Sequence, residues 1–246
     1  MQYLLRRKII KLLAVILFCP VIGFSQLFDN YNNEEHDSKP IRFGINLGMN
    51  RSHFLFEHDP SFLVNAPFDS ITVIESINST GINLAWLVNF RISDHFDLRT
   101  YPLNLTFSEK NFQYNVKYPD LPAGERPVTE KKTQSISMSI PVQIKFSSDR
   151  INNFKVYMMA GGKVEYDLAS NAGAKNAEEK IKLRKFDYGV EAGLGFHFYF
   201  PIFVLTPEIK MGWGIGNLHS RDTNLKYSRV IDKINSRMIS FSLTVE

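Results

Sequence analysis

The chain has 246 residues, which is enough for one domain or two small ones and excludes a large multidomain assembly. Its formal charge of +4 resides entirely in residues 1–25, which contain no acid and four bases, Arg6, Arg7, Lys8 and Lys11. The rest of the chain is formally neutral, so its charge gives no reason to expect nucleic acid as a partner. The single cysteine, Cys19, lies in the same segment, which leaves no disulfide or thiol chemistry for the remainder.

Residues 1–25 have the order of a secretory signal peptide. A basic stretch, Met1–Lys11, precedes an apolar run, Leu12–Phe24, and the small residues Gly23 and Ser25 suit a cut before Gln26. The alternative, an uncleaved membrane anchor, is disfavoured because the run is shorter than the roughly 20 residues that a spanning helix needs. We therefore predict an exported protein, and no later apolar run is long enough for a membrane helix.

The next segment, residues 26–40, is polar, rich in Asn and Asp, and closed by Pro40. This composition predicts a flexible leader, because it offers little apolar surface to bury. Once the signal peptide has been removed, we expect the leader to lie in the periplasm.

After residue 40, apolar and polar residues alternate with a period of two, which gives a β-strand one apolar and one polar face. The clearest case is 135–146, where every even-numbered residue is apolar. In chain order the runs predict eight strands, around 41–50, 82–92, 96–107, 136–146, 154–168, 186–200, 203–215 and 239–245. Within the third strand the apolar positions change parity at Pro102, which predicts a β-bulge.

The connections between these strands alternate in length. Short links are predicted at 93–94, 147–153 and 201–202, and long ones at 51–78, 108–131, 169–182 and 218–232. An even number of strands long enough to cross a bilayer, with short turns at one end and long loops at the other, is typical of outer-membrane barrels.

The predicted fold class is therefore all-β: an eight-stranded antiparallel transmembrane outer-membrane β-barrel over residues 41–246. Its short turns and both termini are predicted to lie in the periplasm, and its long loops outside the cell. The alternative is a soluble, lipocalin-like barrel, whose apolar face would surround a ligand cavity.

In a membrane barrel the polar face of each strand points inward. The charged residues on that face are Arg91, Asp97, Arg99, Lys145, Lys163, Glu165, Glu191, Glu208 and Lys210. The interior of an eight-stranded barrel is just wide enough to be filled by side chains. Because unpaired buried charges are costly, we expect these residues to pair with one another as a salt-bridged plug. The functional alternative is a polar conduit.

Glycines alternate with charges on the inward face of the sixth and seventh strands. If 201–202 forms a two-residue turn, the register brings three pairs together: Gly193 with Lys210, Gly195 with Glu208, and Gly212 with Glu191. Each long charged side chain would then lie over a residue that has none, which is one way to fill a narrow lumen.

Few residues suggest catalysis. Some outer-membrane barrels are rim enzymes that use such residue types, and the candidates here all fall in the first predicted long loop: His53, His58, Asp59 and Ser61. The two histidines have weak spacing for a metal, and no third group orients them. We therefore predict no catalytic, metal-binding or cofactor-binding residue. In the same loop, 69–71 has the form of a short O-glycosylation site centred on Ser70.

Three stretches of the chain resemble the PorT family, called SprT in gliding species. They are LRTYPLNLTFSEKNFQY (98–114), SIPVQIKFSSDRINNFKVYMMAGGKVEYDLAS (139–170) and FDYGVEAGLGFHFYFPIFVLTPEIKMGWGIGNL (186–218). The likeness extends over residues 41–246 and includes the turn residues Arg150, Asn152 and Asn153 and the strand segment Pro207–Lys210.

PorT proteins are outer-membrane β-barrels of the type IX secretion system. The resemblance implies a non-enzymatic part in moving folded proteins across the outer membrane, with no cofactor. It implies as partners the other outer-membrane and periplasmic components of that system, together with outer-membrane lipids. Because the predicted lumen is filled, we expect an accessory component that acts through protein contacts. The alternative is a surface barrel for adhesion or membrane integrity.

Overall fold

The structure is a computed structural model that describes residues 32–59, 71–116, 127–169, 183–220 and 231–246. The predicted signal peptide and the first six residues of the predicted leader lie outside the described residues, as do parts of the four predicted long connections. In these described ranges, no helix is long and apolar enough to cross a membrane.

Antiparallel strands make up almost all of the described chain. A 3-10 turn, Glu34–His36, precedes β1 (Ile41–His58), β2 (Ile71–Ile77), β3 (Ser79–Arg91), β4 (Phe96–Val116), β5 (Val128–Ser147), β6 (Phe154–Asp167), β7 (Phe186–Tyr199), β8 (Val204–Gly214) and β9 (Ile231–Val245). β1 pairs with both β3 and β9, and β4 pairs with β5, so the sheet closes on itself. Only Asn78 separates β2 from β3, and both pair with β4, so together they form one wall strand. The predicted eight-stranded barrel is confirmed.

The predicted bulge at Pro102 is present. The β4–β5 ladder shifts between Thr100 and Asn104, because proline has no amide hydrogen to donate to a neighbouring strand. Across this shift the buried side chains of β4 change from odd positions, such as Arg99, to even positions, such as Thr106. The bulge therefore keeps polar side chains inside the barrel on both sides of the proline.

Several strands are longer than the alternation predicts. β1 continues to His58 and β4 to Val116, so much of the predicted connections 51–78 and 108–131 is strand. Where a wall extends beyond the bilayer, no lipid requires an apolar outer face, and backbone pairing continues without alternation. For this reason the end of the alternation does not mark the end of a strand.

The longer first strand changes where the candidate catalytic residues lie. His53 and His58 are on β1, so these two do not lie in a loop as predicted, whereas Asp59 directly follows the strand. Ser61 and Ser70 lie outside the described residues.

Apolar side chains cover the outside of the barrel. Phe43 on β1 is 69% exposed and Trp86 on β3 is 62% exposed, whereas the intervening polar residues Asn46 and Asn50 are buried. In the lipocalin-like alternative the apolar face would line the interior, so the observed orientation contradicts that alternative. It is the orientation that contact with lipid requires.

The interior has three layers between the short-turn end and the long-loop end. Residues 32–40, called the leader segment below, lie across the short-turn mouth. The middle of the lumen is polar and charged. The long-loop end is closed by an apolar cluster of Phe54, Phe56, Ile74, Phe112, Leu183, Leu218, Ile231 and Ile234.

The leader segment differs from the flexible chain that its composition predicts. The Asn32 amide donates to Asn153 Oδ1 at 2.8 Å, and the Asn32 side chain donates to the Tyr199 carbonyl at 3.1 Å. The Tyr199 hydroxyl donates to the Asp37 carboxylate at 2.8 Å. The polar residues that indicated flexibility are therefore hydrogen-bonding partners for the mouth, and composition alone does not make this distinction.

A closed antiparallel barrel has no free edge, so we expect it to survive dodecyl sulfate until it is heated. Unboiled protein should migrate faster on a denaturing gel than boiled protein. Leu243→Pro serves as the control, because Leu243 on β9 pairs with both β1 and β8 and a proline there interrupts the closure. Equal mobility of boiled and unboiled wild-type protein would contradict the closed barrel.

Candidate functional site

An ion pair between opposite walls lies at the centre of the lumen. Arg99 on β4 and Glu208 on β8 are half the circumference apart, and Arg99 Nη1 lies 2.5 Å from Glu208 Oε1. Both side chains are fully buried. The Tyr157 hydroxyl donates to the same Glu208 oxygen at 2.5 Å, and Arg99 Nε donates to Asn89 Oδ1 at 2.8 Å. The two charges are therefore compensated by partners that also satisfy their hydrogen bonds.

This central pair is part of a longer network in which the sign of the charge alternates. Lys210 Nζ lies 3.5 Å from Glu208 Oε2 and donates to the Tyr101 hydroxyl at 3.3 Å. On the other side, Glu246 Oε1 lies 3.5 Å from Arg99 Nη2. Each charge in the series Glu246, Arg99, Glu208 and Lys210 thus has an opposite charge beside it.

Toward the short-turn end, Asp97 is the shared anion. Arg42 Nη2 lies 2.6 Å from Asp97 Oδ2, and Lys145 Nζ lies 3.0 Å from the same oxygen. Lys145 also lies 3.1 Å from His197 Nε2, which must accept because an ammonium group only donates. His197 Nδ1 then carries the proton and donates to the Thr206 hydroxyl at 2.8 Å.

Toward the long-loop end, the lumen contains a further ion pair and a carboxylate that accepts from a side-chain amide. Lys163 Nζ lies 2.9 Å from Glu165 Oε2, and Gln143 donates to Glu191. Between this layer and the apolar cluster lies a cavity of about 40 Å³. A water molecule needs roughly 10–15 Å³ by this measure, so the cavity holds only a few waters and is far too small for an organic ligand.

Eight of the nine predicted lumen charges point into the barrel: Asp97, Arg99, Lys145, Lys163, Glu165, Glu191, Glu208 and Lys210. Arg91 does not. It is exposed at the short-turn rim, where it pairs with Asp94 and its Nη1 donates to the Ser38 carbonyl at 3.3 Å. Arg91 is the last residue of β3, so its side chain is beyond the enclosed part of the wall.

Several residues of the network were not among the predicted lumen charges. Arg42, Tyr157 and Glu246 all occupy inward positions of the alternation, so their parity was the available signal. Asp37 had no such signal, because it precedes the first strand. Only the folded leader segment brings it to the mouth.

The predicted register of β7 and β8 is confirmed, since Gly193, Gly195 and Gly212 pair with Lys210, Glu208 and Glu191. The side chains that fill the glycine positions are partly different. A Cβ at Gly193 would lie 2.9 Å from Lys210 Cγ, as expected, but the Tyr157 ring covers Gly195 and Lys163 lies nearest to Gly212. Because barrel strands are tilted, inward side chains also meet residues outside their own hydrogen-bonded pair.

The geometry of the lumen is suited to filling the barrel and stabilising it. The charged network is enclosed between the leader segment and the apolar cluster, and its charges are engaged by opposite charges or by hydrogen-bond donors. Within the described ranges, no group of three His, Cys, Asp or Glu residues could hold a metal ion.

The family model for the outer membrane protein beta-barrel domain matches residues 24–220. This match covers most of the chain and agrees with the closed barrel and its apolar outer face. The chain belongs to this family of outer-membrane β-barrels.

Three solved structures are similar to this chain at a low level. Neisserial surface protein A is 12% identical, with a TM-score of 0.42 over 84% of this chain and 99% of that one. OprG from Pseudomonas aeruginosa is 14% identical, with a TM-score of 0.41 over 82% and 94%. Ail of Yersinia pestis is 10% identical, with a TM-score of 0.37 over 82% and 96%. Likeness at this level concerns the fold alone, and the comparison with curated proteins gives no match.

Removing one member of the central pair leaves a buried charge without its main partner. Glu208→Ala leaves Arg99 facing Glu246 at 3.5 Å, and in soluble proteins such a loss costs roughly 3–5 kcal/mol. We expect a clearly lower thermal unfolding temperature in detergent. Lys210→Ala should cost less, because the Arg99–Glu208 pair remains and Lys210 keeps some exposure.

The matched control is Asp94→Ala, which removes an exposed ion pair with Arg91 at the rim. Exposed pairs contribute about 0–1 kcal/mol, so this variant should unfold close to the wild-type temperature. If Glu208→Ala and Asp94→Ala unfolded at the same temperature, the central pair would not stabilise the barrel.

The filled lumen also predicts that the protein does not conduct. An eight-stranded barrel with charged side chains packed across it leaves no continuous water path. Purified protein in planar bilayers should therefore give no sustained ionic current. Steady porin-like currents from pure protein would overturn the assignment of the network as a plug.

Proposed function

We propose that the chain is a non-enzymatic accessory component of type IX protein secretion, acting in the outer membrane through protein contacts and not as the conduit. The closed interior is the observation that carries one part of this proposal, namely that the chain is not the conduit. The leader segment, the charged network and the apolar cluster fill the barrel in succession. A folded cargo protein needs a far wider opening, so the surfaces left for function are the long loops, the outer wall and the short-turn mouth.

The resemblance to PorT proteins supports the assignment to type IX secretion, and several residues that carry it have defined contacts. The Arg150 guanidinium stacks on the Tyr199 ring at 3.7 Å and donates to the Asn32 carbonyl. Asn153 accepts from the Asn32 amide. Glu208 is one of the two residues of the central ion pair. The stretches that resemble the family therefore include residues that build the mouth and the lumen.

A second candidate is a surface barrel for adhesion or membrane integrity. Membership of a general outer-membrane barrel family supports this function as well as it supports secretion. A closed lumen is also expected of such a barrel, since it would act through its loops or by strengthening the bilayer. The two candidates differ in what is lost when the gene is deleted.

The deciding experiment is a deletion strain in which two properties are measured separately. If the chain serves secretion, cargo bearing type IX C-terminal signals should disappear from the medium while a periplasmic enzyme stays inside the cell. Wild-type and Asp94→Ala genes should restore secretion, and Glu208→Ala only in proportion to the folded barrel it produces. Normal cargo export in the deletion strain, with loss of adhesion or leakage of periplasmic contents, would overturn the secretion proposal.

A further inference from the structure

The leader segment places one carboxylate, that of Asp37, in the short-turn mouth. The Tyr199 hydroxyl lies 2.8 and 2.9 Å from its two oxygens. Lys155 Nζ and Arg42 Nη1 lie 3.5 and 3.6 Å away, and the His36 ring is also within 3.5 Å. Burial raises the pKa of the Asp37 carboxyl, but the hydrogen bonds from His36 and Tyr199 and the charge of Lys155 outweigh it and hold the pKa well below its ordinary value. Asp37 is therefore bound as the anion.

The barrel wall supplies the cations of this site, whereas the leader supplies the anion. The anions of the wall near the mouth are already engaged: Asp97 with Lys145 and Arg42, and Glu246 with Asn89 and Arg99.

Lys155 is the cation that depends most on the leader. Among the described residues, Asp37 is its one ion-pair partner, and the Lys155 side chain is only 10% exposed with the leader in place. A buried cation without an anion is unfavourable, so the mouth is built to hold a carboxylate.

The leader segment is held by polar contacts that can be exchanged. Its only buried side chain is His36, and Glu34, Glu35, Ser38 and Lys39 are exposed. It contributes no side chain to the apolar cluster. Its other attachments are the hydrogen bonds that Asn32 donates, hydrogen bonds to the carbonyls of Asn32, Ser38 and Pro40, and the contacts of the His36 ring with Tyr199 and Glu246. Segments with few buried apolar contacts open at a low free-energy cost, which makes displacement by another acidic segment feasible.

We propose that the short-turn mouth is a binding site for a carboxylate carried on an extended protein segment, and that Asp37 of the leader occupies it until an acidic segment of a partner protein takes its place. The leader is then an intramolecular competitor. Charge complementarity defines the partner: an acidic side chain to meet Lys155 and Arg42, with the Tyr199 hydroxyl as donor. This inference does not depend on the assignment to type IX secretion.

The test uses full-length protein in detergent micelles and a fluorescent synthetic peptide with the sequence of residues 26–40. Asp37→Asn in the protein removes the competing carboxylate, so the peptide should bind this variant with at least roughly tenfold higher affinity than wild type, since the site is no longer occupied. A peptide that itself carries the Asp37→Asn change should bind neither protein appreciably, although it keeps its other acidic residues. Added salt should weaken the binding.

Two control variants make the result specific. Asp94→Asn removes another acid from the same rim, where it is exposed, and should bind the peptide no better than wild type. Combining Asp37→Asn with Lys155→Gln should abolish the gain in affinity. Asp37 lies outside the strands, so the barrel of the Asp37→Asn variant is expected to stay closed. The mobility of the unboiled variant on a denaturing gel checks this. Asp37→Ser provides a second version of the same test. Equal binding to wild type and to Asp37→Asn, or equal binding of the two peptides, would overturn the proposal.

Discussion

The contact between Arg99 and Glu208 is possible only because every strand turns an apolar face outward and a polar face inward. Lipid requires the outer face, and the period of two then assigns the remaining side chains to the lumen. With eight wall strands the lumen is narrow, so opposite walls are within reach of one arginine and one glutamate. The requirement for an apolar outer surface therefore places the charged side chains inside the barrel. They pair there because a buried charge without a partner is unfavourable.

A barrel filled in this way has consequences for how it works. The apolar cluster closes the long-loop end, and the leader segment lies across the other end, so the enclosed charges have no route to a substrate. Side chains that are long enough to meet across the lumen stabilise the barrel, and the same side chains block the passage of solutes. The surfaces that remain available for function are the outer wall, the short-turn mouth and the long-loop end.

The sequence was informative where one physical rule governed many residues. Alternation against lipid predicted the eight strands, the bulge at Pro102 and the β7–β8 register, because each follows from parity or from a two-residue turn. It failed at the ends of β1 and β4, where the wall leaves the bilayer and the rule no longer applies. Arg91 has the parity of an inward-facing residue but lies at the rim of the barrel. Asp37 has no periodic context, so its place in the mouth depends on tertiary contacts that no local pattern encodes.

The same parity rule explains a charged residue at the last position of the sequence. β1 and β9 close the barrel with Ile45 opposite Val245, which leaves Val245 facing outward and Glu246 facing the lumen. The Glu246 carboxylate accepts from Asn89 at 2.9 Å and lies 3.7 Å from His36 Nε2. Glu246 therefore joins the central network to the leader segment without presenting a charge to lipid. The Asp37 carboxylate thus reaches the cations of the barrel from the leader segment, whereas Glu246 reaches them from the wall, where its backbone pairs with Val204.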